Sequence, residues 1–303
     1  MRKILNFGCS SIAYNDKYIC AAGNIIVTLN RDDFKEKQRI SGYRNIISLD
    51  IDSQYIYAKN TSGQYFLFDL ETGSLVAKVK CVEKENSSND YNFFRTETGV
   101  ILDILVSKSG DTYAVKYDLL KNSYEKLYLT DNNFRCKNYI LNGNKAYLLF
   151  IEKCFINKEK PKCIYFQIDL KSMKIIKEMT FSLEHSDNPL ALVSPNFILT
   201  EGKEIIDINT LEKYPTRLKE YFKNNDLGYK YRIIPKSSES IILVYSKEVL
   251  VYNLNLDKII CNFKCEKGDC CSCAEIIDSN LYVGTWSGFF VATPENNGIV
   301  KNA

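Results

Sequence analysis

One short phrase recurs along this 303-residue chain and limits what the chain can fold into. An apolar stretch ends in an aromatic or aliphatic residue, then Asp or Asn, then Leu or Ile, and a polar turn and a second apolar stretch follow. The phrase stands at Phe68-Asp69-Leu70, Tyr117-Asp118-Leu119, Ile168-Asp169-Leu170, Ile206-Asp207-Ile208 and Tyr252-Asn253-Leu254. Degenerate copies at Val27-Thr28-Leu29 and Val291-Ala292-Thr293 bring the number to seven. From Thr28 to Ala292 there are 264 residues in six intervals, a spacing of 44, and 303 residues hold close to seven such spacings. A repeat of this length marks copies of one supersecondary unit, none of which buries its apolar face alone.

The second copy shows what the unit is. Strands are expected at Ile46 to Ile51, Tyr55 to Ala58, Tyr65 to Leu70 and Leu75 to Val79, each short and bounded by turn residues. Thr61-Ser62-Gly63 and Glu71-Thr72-Gly73 suit hairpin loops closed by a glycine with positive φ. The Asp or Asn ending each third strand can accept backbone N–H groups of the turn that follows, a structural role. The unit is therefore a four-stranded antiparallel meander. Seven such units predict an all-β fold, a seven-bladed β-propeller formed by residues 1–303 as a single domain. Glu83 to Asn92 and Cys154 to Lys162 read as polar loop insertions, and Thr216 to Asn224 has Leu218 and Phe222 at helical spacing. After Val291 the residues Pro294 and Asn296-Asn297-Gly298 are poor strand material. Arg2 to Phe7 is expected to complete the last blade, closing the ring by pairing the N-terminal strand with it.

The last unit, Leu281-Tyr282-Val283-Gly284-Thr285-Trp286-Ser287-Gly288 leading into Phe289-Phe290-Val291, resembles the blade phrase of the quinoprotein-like (PQQ-like) repeat propellers, as does Phe68-Asp69-Leu70-Glu71-Thr72-Gly73. The resemblance implies the fold and not a bound quinone, and no cofactor is expected. The WD-like repeat propellers are the neighbouring possibility, although one His and one Trp cannot supply their repeated Gly-His and Trp-Asp signatures.

A propeller carries many unrelated activities, so chemistry has to come from particular residues. A net charge of +3, without a dense run of Lys and Arg, argues against a nucleic-acid partner. No stretch approaches the roughly 20 apolar residues of a membrane span, and the first residues do not read as a signal peptide. With 11 cysteines, an odd number, the thiols are expected to be mostly reduced and the protein cytoplasmic. His185 is the only histidine, which excludes sites built on several of them. No nucleophile elbow, Walker loop or dinucleotide-binding glycine motif is present.

Two patterns remain. Cys261, Cys265, Cys270, Cys271 and Cys273 put five thiols within thirteen residues. Such thiols could hold a metal or act as a redox site, but the spacing is not that of paired C-x-x-C ligands, and strand alternation would set Cys271 and Cys273 on one face with Cys270 on the other. Packing as small hydrophobes is the plainer reading. Second, an aromatic residue precedes arginine at Tyr43-Arg44, Phe94-Arg95, Phe134-Arg135 and Tyr231-Arg232, where the chain enters the first strand of several blades. His185 and Cys270 fall at the corresponding place in two others. If those arginines converge at the channel mouth, with Trp286 nearby, they form planar donors suited to carboxylate or phosphate. The expectation is a noncatalytic binding or scaffolding propeller that engages a protein or peptide partner, acidic or anionic, through this face. The alternatives are a lyase or hydrolase with its site at the channel mouth, and a metal-binding or redox protein using the late cysteines. In a plainer reading the arginines pair with carboxylates of neighbouring blades and hold the ring together.

Overall fold

The structure, a computed structural model, describes residues 2–82, 93–153, 160–184, 188–237 and 239–292. Among these residues the chain forms 28 strands and one short helix. The N-terminal strand is β1 (Arg2–Leu5). Blade 1 is β2 (Cys9–Tyr14), β3 (Tyr18–Gly23), β4 (Ile26–Asn30) and β5 (Glu36–Ile40). Blade 2 is β6 (Ile46–Ile51), β7 (Tyr55–Asn60), β8 (Gln64–Asp69) and β9 (Leu75–Lys80). Blade 3 is β10 (Phe94–Glu97), β11 (Val100–Val106), β12 (Thr112–Asp118) and β13 (Ser123–Thr130). Blade 4 is β14 (Phe134–Asn142), β15 (Lys145–Glu152), β16 (Lys162–Asp169) and β17 (Lys174–Ser182). Blade 5 is β18 (Pro189–Ser194), β19 (Phe197–Thr200), β20 (Glu204–Asp207) and β21 (Lys213–Pro215), followed by α1 (Leu218–Asn224). Blade 6 is β22 (Lys230–Pro235), β23 (Ser240–Tyr245), β24 (Glu248–Asn253) and β25 (Lys258–Lys264). Blade 7 is β26 (Cys271–Ile277), β27 (Asn280–Thr285) and β28 (Phe289–Ala292).

Each blade is a four-stranded antiparallel sheet, and the fold is an all-β, seven-bladed propeller. Blade 7 takes its fourth strand from the other end of the chain: β1 runs antiparallel to β28, with Arg2 opposite Val291 and Lys3 opposite Phe290. The expected helix is present, with Leu218 buried. The insertion 83–92, most of the one at 154–162, and the residues after Ala292 lie outside the described residues.

The recurring phrase does two jobs at each turn. Asp69 Oδ1 accepts the N–H groups of Glu71 and Thr72, Asp118 that of Lys121, Asp169 that of Ser172, Asp207 that of Asn209, and Asn253 that of Leu256. The next residue then donates its own N–H to the hairpin joining the first two strands. Leu70 bonds Gln54 O, Leu119 bonds Gly99 O, Leu170 bonds Asn144 O, Ile208 bonds Asn196 O and Leu254 bonds Glu239 O, all at 2.7–2.9 Å. The side chains of Leu70, Leu119, Leu170 and Ile208 are buried. Gly73 closes its turn at φ 71° and Gly63 closes the other hairpin at φ 68°, as expected. In other blades the position of Gly73 falls to Phe34, Asn122, Met173, Leu211 and Asp257, all at positive φ.

The contacts divide the chain into two compact units, Met1–Val79 with Phe222–Ala303, and Lys80–Tyr221. In the first unit, apolar clusters fill the seams between blades 1 and 2, blades 7 and 1, and blades 6 and 7. Arg31 bonds Asp278 through both Nε and Nη2 across the blade 7–1 seam. In the second unit, clusters fill the seams of blades 3 and 4 and of blades 4 and 5. There Lys116 Nζ reaches Leu170 O at 3.2 Å and Tyr165 Oη reaches Pro195 O at 2.8 Å.

Candidate functional site

In blades 2, 4, 5, 6 and 7 the turn leading into the first strand has a fixed partner. Its last carbonyl accepts an N–H from the turn between the second and third strands of the same blade. Thr61 N bonds Asn45 O, Lys153 N bonds Asn133 O, Glu201 N bonds Asn188 O, Ser246 N bonds Tyr229 O and Trp286 N bonds Cys270 O, at 2.7–3.0 Å. This bond defines equivalent positions without reference to sequence. Against it, the four arginines do not coincide. Arg44 lies one residue before Asn45, Arg135 two after Asn133, and Arg232 three after Tyr229, while Arg95 sits opposite Ile101 beside the Glu97–Val100 hairpin. His185 lies outside the described residues, and Asn188 holds the lead-in position of blade 5.

A bulge near the start of the first strand falls just before Arg232 but after Arg44 and Arg135. The ladder slips at Ser10 in β2, Ile47 in β6, Lys137 in β14, Tyr231 in β22 and Ser272 in β26. An extra residue there re-aims every side chain that follows it. The bulged residues also bind across seams. Ser10 Oγ bonds Ala22 O of its own blade and Ile46 O of blade 2, and Ser272 Oγ bonds Gly284 O and Cys9 O in the same manner.

The same bulge overturns the alternation expected for the cysteines. Cys271 packs into the blade 6–7 cluster, whereas Cys273 packs into the blade 7–1 cluster, on the other face of β26. Cys273 Sγ lies 3.9 Å from Cys9 Sγ, and Gly284 is required beside them because a Cβ there would stand 2.4 Å from Cys273 Sγ. Cys261 and Cys265 pack at the edge of the cluster that holds Cys271. The five thiols are thus split between two seams and the lead-in position of Cys270. Among the described residues no group of three or more His, Cys, Asp or Glu is placed to hold a metal ion.

In the first unit, Tyr43 packs edge-on against Phe66 and Phe68, with ring centroids 4.9 and 4.8 Å away, and Arg44 beside it is exposed. Arg232 is half-buried, and its Nη2 donates to Ile47 O at 3.0 Å, joining blade 6 to the bulged residue of blade 2. In the second unit, Phe94 stacks edge-on against Tyr139 and Phe134 packs on the same cluster, with Arg95 and Arg135 half-buried beside them. Three of the four aromatics therefore serve chiefly in packing.

Blades 6 and 7 are different. Tyr229, which the sequence reading passed over, is 57% exposed, and Trp286 is 60% exposed. Between them Tyr231 shares a 3.1 Å hydroxyl contact with Tyr229 and lies close enough to Trp286 to be perturbed by it. Burial, then the Tyr229 hydroxyl, pushes the Tyr231 phenol well up, so it stays neutral. The backbone beneath is held firmly. Tyr229 N bonds Ser246 Oγ at 3.2 Å, Asp269 binds both the N–H and hydroxyl of Ser287, and Asp226 pairs with Lys247. Partial burial raises the Asp269 carboxyl, but hydrogen bonds from Ser287, Thr285 and Cys270 outweigh it and hold it below its ordinary range.

Solved structures share this architecture. The chain is similar to the computationally designed Ika8 protein (7% identity, TM-score 0.62, covering 97% of this chain and 100% of that one). It is similar to the β-propeller domain of Cps50 (Swd1) from Myceliophteria thermophila (11% identity, TM-score 0.66, 97% and 99%). BamB from Moraxella catarrhalis is a third (11% identity, TM-score 0.52, 93% and 82%). These likenesses establish the propeller class alone. Neither a model of a known protein family nor a curated protein sequence matches this chain. No helix among the described residues is long and apolar enough to cross a membrane.

Proposed function

We propose that this propeller is a noncatalytic protein- or peptide-binding module whose contact surface is the lead-in face of blades 6 and 7. The observation that carries the reading is the aromatic trio Tyr229, Tyr231 and Trp286, with two large aromatic side chains left in solvent on a backbone fixed by the lead-in bonds. Rigid aromatic side chains with a polar atom give contact area at low entropic cost and dominate binding energetics at interfaces. Lys230, at the start of β22, and Lys267, on the loop before β26, are exposed, as is Arg44 on the lead-in of blade 2, and together they favour an acidic segment.

A display library of short peptides selected on the purified protein tests this. Binders should be enriched in Asp and Glu, and the paired change Trp286→Ala with Tyr229→Ala should abolish binding while leaving the melting temperature within about 2 °C. Binders that survive both substitutions would place the contact surface elsewhere.

A further inference from the structure

The loop from Cys265 to Cys271 is tied down at both ends by one turn of blade 6. Cys265 N donates to Lys247 O at 2.8 Å and Cys271 N donates to Ser246 O at 2.9 Å. Adjacent carbonyls of a single turn thus hold the two cysteine backbones, and the intervening Glu266-Lys267-Gly268-Asp269-Cys270 arches away between them. Gly268, at the crest, has φ 91° and no atom within 4 Å of where a Cβ would stand. Both side chains pack into the blade 6–7 cluster, close enough for the two thiols to perturb each other. Cys265 is half-buried at the surface, whereas Cys271 is fully buried.

We propose that Cys265 and Cys271 form a thiol switch, in which Cys265 reacts with hydrogen peroxide and Cys271 resolves the product into an intramolecular disulfide. The Cys265 thiolate sulfur attacks one peroxide oxygen and the O–O bond breaks. Hydroxide leaves and takes up the proton released when the thiol ionised, giving water and a Cys265 sulfenic acid. Sulfur is oxidised by two electrons and the peroxide is reduced by two. The Cys271 sulfur then attacks the Cys265 sulfur, forming the S–S bond and breaking the S–O bond, and the hydroxyl departs as water with the Cys271 proton. The sum is two thiols and one peroxide giving one disulfide and two waters.

The neighbourhood supports this order of events. Reactive thiols are accessible, have thiolate character and lie beside a resolving partner. The neighbouring Cys271 thiol draws Cys265 below the ordinary thiol range, while Cys265 and burial push Cys271 up. Cys261, similarly half-buried on β25 four residues before Cys265, is raised by burial and serves as an internal control. The switch would be felt at Trp286, since Cys270 O holds its N–H and Asp269 holds Ser287.

The test is treatment of the purified full-length protein with hydrogen peroxide, trapping of free thiols with N-ethylmaleimide, and peptide mapping without reductant. Trypsin cuts after Lys264 and Lys267, so the bridge appears as Cys265-Glu266-Lys267 linked to the peptide beginning at Gly268, and fragmentation separates Cys270, Cys271 and Cys273. The Cys265–Cys271 link should form first, vanish on reduction and be lost in Cys265→Ser. Cys271→Ser should leave a sulfenic acid at Cys265 that dimedone captures. Fluorescence of the single tryptophan should shift with the link in the native chain and stay constant in Cys265→Ser. A link to Cys270 or Cys273 instead, or oxidation of Cys265 no faster than that of Cys261, would overturn the proposal.

Discussion

The side-chain amide of Asn138 in blade 4 pairs with both backbone groups of Leu192 in blade 5: its Nδ2 donates to Leu192 O at 2.9 Å, and its Oδ1 accepts Leu192 N at 2.7 Å. Both residues are buried, so the amide completes a ladder that β18 would otherwise leave open at this seam. Asn138→Ala strands two buried backbone groups, and a loss of about 2–4 kcal/mol in urea unfolding is expected. A loss below about 1 kcal/mol would mean that water or a shifted strand replaces the amide.

Arg232 and Arg44 should separate cleanly in mutagenesis. Arg232 joins blade 6 to the Ile47 carbonyl of blade 2, a charge-assisted bond from a half-buried side chain. Arg232→Ala is expected to lower unfolding stability by about 1.5–3 kcal/mol. Arg44 is exposed, and Arg44→Ala should stay within about 0.5 kcal/mol of the parent. Equal and small effects would remove the structural role assigned to Arg232.

Leu211 occupies the turn position that Gly73 fills in blade 2. It sits at φ 60° with 41% of its surface exposed, so it bears left-handed strain with little burial in return. The left-handed conformation costs an L-residue about 1–2 kcal/mol, and glycine's extra unfolded-state freedom costs about 0.5–1 kcal/mol. Leu211→Gly should therefore raise stability by about 0.5 kcal/mol. Met173 holds the same conformation but is buried in the blade 3–4 cluster, and Met173→Gly should destabilise.

Acid should loosen the turns that carry the repeat. The backbone amide of Thr72 holds the Asp69 carboxyl below its ordinary range, Lys121 does so for Asp118, and the Ser172 hydroxyl for Asp169. A carboxyl whose pKa is lower in the folded than in the unfolded chain adds stability above its unfolded value, and loses it as pH falls through the folded value. Melting temperature should accordingly drop as pH falls below about 4. Asn253 caps the equivalent turn with a neutral amide, so Asp69→Asn and Asp169→Asn keep the cap and remove the titration. The combined variant should show a shallower acid limb, and an unchanged limb would assign the acid sensitivity to other groups.

The architecture was legible because its signals are local. Period-two alternation, the Asp-Leu phrase and the glycine turns each lie within a few residues, and they placed the strands of blade 2 to within two residues of where they lie. The pairing of β1 into blade 7 was readable from composition alone, as one end of the chain lacked a strand and the other had one spare. The site was less legible because the bulges at Ile47, Tyr231 and Ser272 depend on the partner strand. Counting along the chain therefore put Cys271 and Cys273 on one face and misplaced Arg232. Tyr229 shares the lead-in position with Asn45 and Asn188, and nothing in the residue types connects a tyrosine with two asparagines.

The borrowing of β1 by blade 7 also bears on how the chain is made. β1 leaves the ribosome before the other described strands, and its partner β28 emerges after all of them. At cellular elongation rates that is a wait of roughly 15–60 s. Throughout it, a strand destined for pairing has nothing of its own to pair with. Arg2 and Lys3 lie on this segment, and in the finished blade they rest over the rings of Phe34 and Phe290. Positive charge on a bare strand discourages mistaken partners. The two residues thus protect the nascent chain before they ever meet the aromatic rings they finally cover.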